Sequence, residues 1–285
     1  MQNFSQILFV MWRETVEAML VVGILHAWLS HHPQGRLGLR YLWGGVAAGL
    51  VGAVLLGLGI EAMNSTLSDE GQEYFQTSLM LLAAGLIVQM VLWMRRNGRR
   101  LKRDMEESLG HSVVQQRWWG VFGLAAIAVA REGSETVLFL SSLASNGAGL
   151  AGGAFWLALG LGVALAAGTF YLLQLGGKVF SWAIFFRVTE VLLILLAGSL
   201  LISGVEKLID VQLLPALVRQ LWDSSVLLDD GSVLGSVIAA FTGYRARPSL
   251  TVVLTMALYW LVMWRLTRPA RVSANASASA GVARA

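Results

Sequence analysis

Apolar stretches of about 20 residues recur along the whole chain, each long enough to cross the hydrocarbon core of a membrane as an α-helix. Seven such spans are predicted: 4–29, 40–62, 74–94, 119–143, 152–176, 184–204 and 249–266. Only 13% of the residues are charged, whereas about 25% is usual in a soluble globular domain. A transmembrane β-barrel is built instead from shorter segments of alternating hydrophobicity. The sequence therefore predicts an all-α, polytopic membrane protein with seven transmembrane helices.

Basic residues are concentrated in alternate connections between the spans. They are Arg95, Arg96, Arg99, Arg100, Lys102, Arg103 and Arg117 after span 3, with Arg36, Arg40, Lys178, Arg265, Arg268 and Arg271 elsewhere. Because Lys and Arg favour the cytoplasmic side, this distribution predicts an outer N-terminus and a cytoplasmic C-terminus. It also accounts for the net charge of +4 without nucleic acid as a partner. The connection 205–248 then lies outside, and the tail 272–285, rich in Ala and Ser, is predicted to be disordered in the cytoplasm.

One short charged motif occurs twice, each time inside an apolar span. The copies are Arg13-Glu14-Thr15-Val16-Glu17 and Arg131-Glu132-Gly133-Ser134-Glu135, and both read Arg-Glu-x-x-Glu. A charge at the centre of a bilayer costs about 2.5–3.5 kcal/mol even on the mildest scale, so three in one span must pair or face a polar interior. Ionisable residues inside a membrane are functional by default, and a cation site is the natural hypothesis here.

The spacing of the two motifs divides the chain into two related blocks. Repeat 1 covers 4–94 and repeat 2 covers 119–204, so that each block has three spans and begins with a motif. An odd number of spans makes the copies cross in opposite senses, as in inverted-repeat transporters, whose substrate sites lie at the repeat interface. Span 7 lies outside the repeat, and 1–271 is interpreted as one transmembrane domain. Two stripes of small residues predict close helix packing: Gly45, Gly49, Ala53 and Gly57, then Gly152, Gly160, Ala164 and Gly168.

Helical spacing places the charged groups of each motif on one face. Residues three or four apart are neighbours, so Glu14 lies beside Glu17, and Arg13 lies one turn before Glu17. If the repeats face each other, four carboxylates converge near mid-membrane: Glu14, Glu17, Glu132 and Glu135. Arg13 and Arg131 would offset part of their charge, and a hard cation such as iron, Mn²⁺ or Ca²⁺ would offset the rest. The structural alternative is that each motif is an internal salt bridge that locks helix packing.

Other polar residues are weaker candidates for an ion pathway. Glu190 lies early in span 6, where a pair with Arg187 is the alternative role. An acidic outer mouth that concentrates cations is the hypothesis for Glu61, Asp69, Glu70 and Glu73. Asp223 could receive an ion in the outer connection, although a turn or helix cap is the alternative for this segment. His26, near the inner end of span 1, is a further exit candidate.

These motifs in a seven-span chain resemble the oxidase-dependent iron permease family, which includes fungal high-affinity iron permeases and bacterial iron transporters of the EfeU type. The family hallmark is Arg-Glu-x-x-Glu in the first and fourth spans. The outer connection resembles the bacterial branch in Trp222-Asp223-Ser224-Ser225, Leu234-Gly235 and Gly243-Tyr244-Arg245-Ala246-Arg247-Pro248-Ser249. The resemblance implies iron import through the bacterial inner membrane, with the four motif glutamates as iron ligands.

The resemblance also implies an external partner, a periplasmic protein that binds iron or oxidises Fe²⁺. Many relatives carry a second acidic residue near the start of span 3, where this chain has Gln76 after Glu73, so a metal ligand on span 3 does not follow. The expectation is a permease without a cofactor of its own. A carrier for Mn²⁺ or Pb²⁺ and an assembly subunit without a substrate remain alternatives. An intramembrane enzyme is not expected, since the chain has no Cys and no cluster of His.

Overall fold

The computed structural model of the chain describes residues 2–31, 35–97, 118–144, 153–175 and 182–268. Most of the basic connection 95–117, Lys178, Arg271 and the predicted tail 272–285 lie outside these ranges. All regular structure within them is helical. The helices are α1 (Gln2–His31), α2 (Gly35–Thr66), α3 (Asp69–Asn97), α4 (Trp118–Leu143), α5 (Gly153–Leu175), α6 (Trp182–Asp210), α7 (Val233–Thr242) and α8 (Leu250–Thr267).

Seven long helices lie where the seven spans were predicted. Five of them, α2, α3, α5, α6 and α8, are long and apolar enough to cross a membrane. The other two, α1 and α4, carry the charged motifs and are not among the five. The chain is thus an all-helical, multi-pass membrane protein, while the count of seven spans and the orientation of the termini stay predictions.

Contacts between α1, α2 and α4 give the relative directions of these helices. The contacts are Leu29–Gly38 and His26–Trp43 between α1 and α2, and Gly45–Phe122, Gly49–Val129 and Gly57–Val137 between α2 and α4. Positions rise along α2 as they fall along α1, so these two helices are antiparallel. Positions in α2 and α4 rise together, so these two are parallel. The two motif helices, α1 and α4, therefore run in opposite directions.

The remaining pairs follow the same scheme. The contacts are Met11–Gly162 and Gly23–Phe170 between α1 and α5, and Gln76–Lys207 and Arg95–Glu190 between α3 and α6. They make α5 parallel to α1 and α6 antiparallel to α3. Each helix from α4 to α6 thus runs opposite to its counterpart from α1 to α3, as the inverted-repeat hypothesis requires. Whether the chain works as two repeats stays a prediction.

Small residues govern the close packing of helix pairs, but not always those predicted. On α2, Gly45, Gly49 and Ala53 are buried, and α2 packs there against α4. Of the stripe predicted on α5, Gly152 lies outside the described residues, and Gly160, Ala164 and Gly168 are exposed, so that prediction is wrong. The face of α5 that meets α1 is instead formed by Ala158, Gly162 and Ala166. Both stripes of α5 have four-residue spacing, and spacing alone does not select between them.

The predicted outer connection contains one short helix that covers an end of the bundle. Ser232 caps the start of α7 by accepting a hydrogen bond from the Gly235 amide, and Gly243, with φ 69°, ends the helix. The side chain of Gln6 in α1 donates to the Ala240 carbonyl, and α7 also packs against α6. The apolar run 233–241, too short to span a membrane, therefore lies against the N-terminal part of α1.

Candidate metal centre

The first motif is closed around its own arginine. Arg13 is fully buried, and its Nη1 donates to Glu14 Oε1 at 2.6 Å while Nη2 donates to Glu17 Oε1 at 2.5 Å. Nη2 also lies 3.6 Å from the sulfur of Met94 on α3. The guanidinium fork thus bonds both glutamates of its motif and offsets one of their two negative charges, an arrangement that favours Arg over Lys.

The second motif is more open. The Arg131 side chain is 42% exposed, and its Nε donates to Glu135 Oε1 at 3.2 Å. Its guanidinium carbon lies 4.7 Å from the centroid of a Trp93 ring, in a cation–π contact. Gly133 in the middle of this motif lies against Ala53, where a side chain would block the approach of α2.

Three glutamates from the two motif helices meet in one cluster. Glu14, Glu132 and Glu135 each contribute a carboxylate oxygen, and these oxygens all lie within 4.8 Å of one another. Two ligands on opposite sides of a cation with bonds of 2.3–2.6 Å lie about 4.6–5.2 Å apart, so the spacing suits a hard cation. We define this set as the glutamate cluster.

The glutamate cluster has unused acceptor capacity. One oxygen of each member, Oε2, is buried and has no hydrogen-bond partner among the described residues. A buried acceptor without a partner is costly, and adjacent carboxylates also repel each other. A cation bound between them would relieve both costs at once.

The fourth predicted ligand, Glu17, lies beside the glutamate cluster rather than in it. Its carboxylate is held by Arg13 and is 12% exposed, within electrostatic range of Glu135 and Arg131. Of the four carboxylates that were predicted to converge, three therefore have oxygens within 4.8 Å of one another, and the fourth, that of Glu17, lies beside them. Their role as metal ligands stays a prediction.

Comparison with known proteins identifies the family of this chain. The model of the iron permease FTR1 family matches residues 4–269. The chain belongs to this family. Ferrous iron permease EfeU of Shigella sonnei (strain Ss046) and that of Escherichia coli O157:H7 are each 29% identical over 278 residues, 95% of this chain and 98% of the relative. EfeU of Yersinia pestis is 25% identical over 252 residues, 88% of each chain. No solved structure matches.

Membership of the iron permease FTR1 family confirms the resemblance seen in the motifs, and it makes the chain a transporter-family protein rather than an enzyme. Sequence reasoning nevertheless missed two residues beside the motifs, Trp93 and Met94. Tryptophan and methionine are ordinary in an apolar span, so no sequence signal marked them. Only the packing of α3 against the motif helices brings them to the two arginines.

The predicted pathway residue Glu190 has a partner on another helix. It forms an ion pair with Arg95 at the end of α3, and Arg95 Nη1 also donates to the Thr267 carbonyl at 2.9 Å. This pair links α3, α6 and α8, whereas the alternative partner Arg187 is exposed. In this FTR1-family chain Glu190 thus takes part in a contact between three helices and is not a member of the glutamate cluster.

The predicted acidic mouth is exposed. Glu61 and Glu73 are both exposed at the end of the bundle where α2 and α3 meet. Gln76, at the position where relatives were expected to have an acid, accepts from Lys207 Nζ at 3.2 Å and donates weakly to Asn64. Glu73 also faces Lys207 electrostatically. This end therefore has both signs of charge rather than acidic groups alone.

Asp223 belongs to a turn and a surface ion pair. Its Oδ1 accepts from the hydroxyl of Ser225 at 2.6 Å and from the Ser225 amide at 3.0 Å, and its Oδ2 accepts from Arg247 at 2.9 Å. The Ser225 hydrogen bonds, helped by Arg247, lower the pKa of the Asp223 carboxyl. The turn foreseen as the alternative is thus present, at the rim of a cleft of about 680 Å³ that also contains Glu206, Asp229 and Arg245.

Proposed function

We propose that this chain is an iron permease of the bacterial inner membrane and that iron passes through the glutamate cluster. The observation that carries the proposal is the meeting of Glu14, Glu132 and Glu135, with three buried oxygens that have no hydrogen-bond partner in the part of the chain that the structure describes. Carboxylate oxygens are suitable ligands for iron. Family membership and the relatives named ferrous iron permease support iron as the cargo.

The charges around the cluster support a cation as the substrate. When ionised, the four motif glutamates and the two motif arginines have a formal net charge of −2. A divalent ion would cancel this charge, and a trivalent ion would exceed it by one. Glu17 and Arg13 form the fixed side of the site, and Glu132 and Glu135 supply the side that the second repeat moves.

The arrangement of the helices supports an alternating-access mechanism. The glutamate cluster draws Glu14 from repeat 1 and the other two glutamates from repeat 2, so rocking of one repeat against the other changes the distances between the ligands. In this mechanism iron binds when the ligands converge, and it leaves for the cytoplasm when they separate. The Arg95–Glu190 pair joins the repeats at one end of the bundle, and we assign it to this movement.

The proposed orientation places the N-terminus and the connection 205–248 outside and the C-terminus in the cytoplasm. Iron then enters from the side of Glu61, Glu73 and Asp223. A periplasmic protein that binds iron or oxidises Fe²⁺ delivers the ion there, and membrane lipid covers the exposed apolar faces of α2 and α5.

Uptake of radioactive iron tests the proposal in cells that lack other iron importers. We expect Glu14→Gln, Glu132→Gln and Glu135→Gln each to abolish uptake, because a neutral amide cannot balance the charge of the ion. Asp210→Asn, at the exposed last residue of α6, is the control for loss of an acidic side chain and should transport normally. Iron supplied as Fe²⁺ with and without oxygen tests the link to oxidation.

Two outcomes separate this proposal from its alternatives. If Mn²⁺ or Pb²⁺ is transported in preference to iron when the metals compete, iron is not the preferred substrate. The proposal that a cation passes through the glutamate cluster is then kept. If all three variants take up iron at the wild-type rate, the motifs are structural salt bridges and the proposal fails.

A further inference from the structure

Helix α3 contributes adjacent residues to the two motif arginines. Met94 places its sulfur 3.6 Å from Arg13, and Trp93 places its ring 4.7 Å from the guanidinium carbon of Arg131. The two contacts are unequal in importance. Arg13 is fully buried and already bonded to two carboxylates, so the sulfur adds little to its position.

Arg131 depends on its ring contact far more. Its side chain is 42% exposed and is bonded to one carboxylate, that of Glu135, at 3.2 Å. A long cationic side chain with one such bond has many rotamers open to it, and solvent competes for its donors. The Trp93 face removes part of this freedom, because a guanidinium stacks on an indole with favourable electrostatics.

We propose that Trp93 is a positioning residue for transport, which holds Arg131 beside Glu135 at the edge of the glutamate cluster. This inference rests on the proposed function. A ring suits the role because it restrains the guanidinium without adding a carboxylate that would compete for the cation. Without the ring, the Arg131 side chain can move away from Glu135, and the Glu135 carboxylate then loses its ion pair and its fixed position. The Arg131 side chain can also turn toward the glutamate cluster and compete with the ion. Both changes weaken binding of the transported cation.

Kinetics of iron uptake by membrane-localised variants test the inference. We expect Trp93→Leu to raise the KM for iron about three- to tenfold, the range expected for one cation–π contact. Trp93→Phe keeps a weaker aromatic face and should lie between Trp93→Leu and wild type. Trp156→Leu, on the exposed face of α5, is the control for loss of a tryptophan and should keep the wild-type KM.

A double-mutant cycle with Arg131→Gln distinguishes positioning from general packing. If Trp93 acts through Arg131, Trp93→Leu changes KM in the wild-type background and has no further effect in Arg131→Gln. Equal effects in both backgrounds, or an unchanged KM in Trp93→Leu, would overturn the inference. If Trp93→Leu does not accumulate in the membrane, Trp93→Phe replaces it in the cycle with the same expected pattern.

The proposed function fails in a different way. Normal uptake by all three variants, Glu14→Gln, Glu132→Gln and Glu135→Gln, would remove the glutamate cluster from transport, and with it any role of Trp93. Loss of uptake in Glu135→Gln together with additive effects of Trp93→Leu and Arg131→Gln would leave the iron site in place and reject only the positioning role.

Discussion

The two copies of Arg-Glu-x-x-Glu have the same charged residues but different surroundings. Arg13 is wholly buried and bonds both of its glutamates at 2.5–2.6 Å, whereas Arg131 is 42% exposed and bonds one glutamate at 3.2 Å. The difference arises from the neighbouring helices. In α1 the residues Val16 and Leu20 pack on Ala166 of α5, while in α4 the Arg131 side chain lies at the Trp93 ring with one side open. In the proposed mechanism, the first copy is therefore the fixed anchor and the second copy is the adjustable half of the site.

The largest expected effect comes from removing each arginine in turn. Arg13→Gln leaves Glu14 and Glu17 buried without their counter-ion, and breaking a buried pair this way costs about 3–5 kcal/mol. Arg131→Gln should cost far less, about 1 kcal/mol or below, since the Arg131 side chain is partly exposed. Thermal unfolding in detergent, together with the amount of protein in the membrane, measures both variants.

The control for this pair is Arg187→Gln, at an exposed position of α6. It should match the wild type in both assays. Equal destabilisation by Arg13→Gln and Arg131→Gln would mean that the two copies are equivalent, and the contrast between anchor and adjustable half would be lost.

Substitution of each motif arginine by lysine tests the same difference between the two motifs while the positive charge is kept. Arg13 uses two nitrogens for two carboxylates, a geometry that a single ammonium group does not reproduce. Arg13→Lys should therefore lose one charge-assisted hydrogen bond, about 1.5–3 kcal/mol of stability. Arg131→Lys should be nearly neutral, since an ammonium can also approach Glu135 and the Trp93 ring. Thermal unfolding distinguishes them, and a greater loss in Arg131→Lys would contradict the assignment.

The sequence predicted the ion pairs within each motif and the meeting of the two motifs, but not the difference between their surroundings. Three- and four-residue spacing predicted the ion pairs of Arg13 with Glu17 and of Arg131 with Glu135, because both partners lie on one helix. The convergence of Glu14 with Glu132 and Glu135 followed from treating the motifs as facing copies. The family resemblance also followed from the motifs, and the comparisons confirm it.

Burial and cross-helix partners could not be predicted, since they depend on how helices distant in sequence pack. Arg95 as the partner of Glu190 lies 95 residues away in the chain, and Arg187, one turn from Glu190, was the only partner that local spacing suggested. The prediction of the small-residue stripe on α5 was wrong for the same reason. Spacing offered two equivalent faces, and the contact of Gly162 with Met11 decides between them.

Gly133, at the centre of the second motif, allows a further test of the difference between the two motifs. A Cβ added at Gly133 would lie 2.6 Å from the Cβ of Ala53, so Gly133→Ala should push α2 away and cost about 1–3 kcal/mol. Gly123→Ala, on the same helix with nothing within 4 Å of its added Cβ, is the matched control and should cost nothing. The first motif has Thr15 at the equivalent position, so this constraint belongs to the second copy alone.

Relief of the clash tests the cause of the Gly133→Ala effect. Ala53→Gly combined with Gly133→Ala should recover most of the lost thermal stability and of the iron uptake. If the double variant remains as unstable as Gly133→Ala, the loss has a cause other than contact with Ala53.

The smallest expected effect concerns Asp223 and Arg247, an ion pair that extends the comparison to a fully solvated site. Its side chains are 39% and 62% exposed, and the hydrogen bonds of Ser225 together with Arg247 lower the pKa of Asp223 below its ordinary 3.8. A carboxyl with a lowered pKa in the folded state stabilises the fold above its unfolded pKa, and this contribution is lost as the pH falls through the folded value. The turn should therefore be intact at neutral pH and loosen only below about pH 3.8.

Because the chain has no cysteine, a single spin label at Val226→Cys, an exposed position of this turn, reports its mobility. We expect label mobility to rise only at acid pH in the wild-type background. With Asp223→Asn, mobility should already be higher at neutral pH and should no longer depend on acid, while iron uptake stays near the wild-type level. A marked loss of uptake in Asp223→Asn would place this outer ion pair in the transport path. The ranking of ion pairs by burial, from Arg13 through Arg131 to Arg247, would then no longer rank their importance for transport.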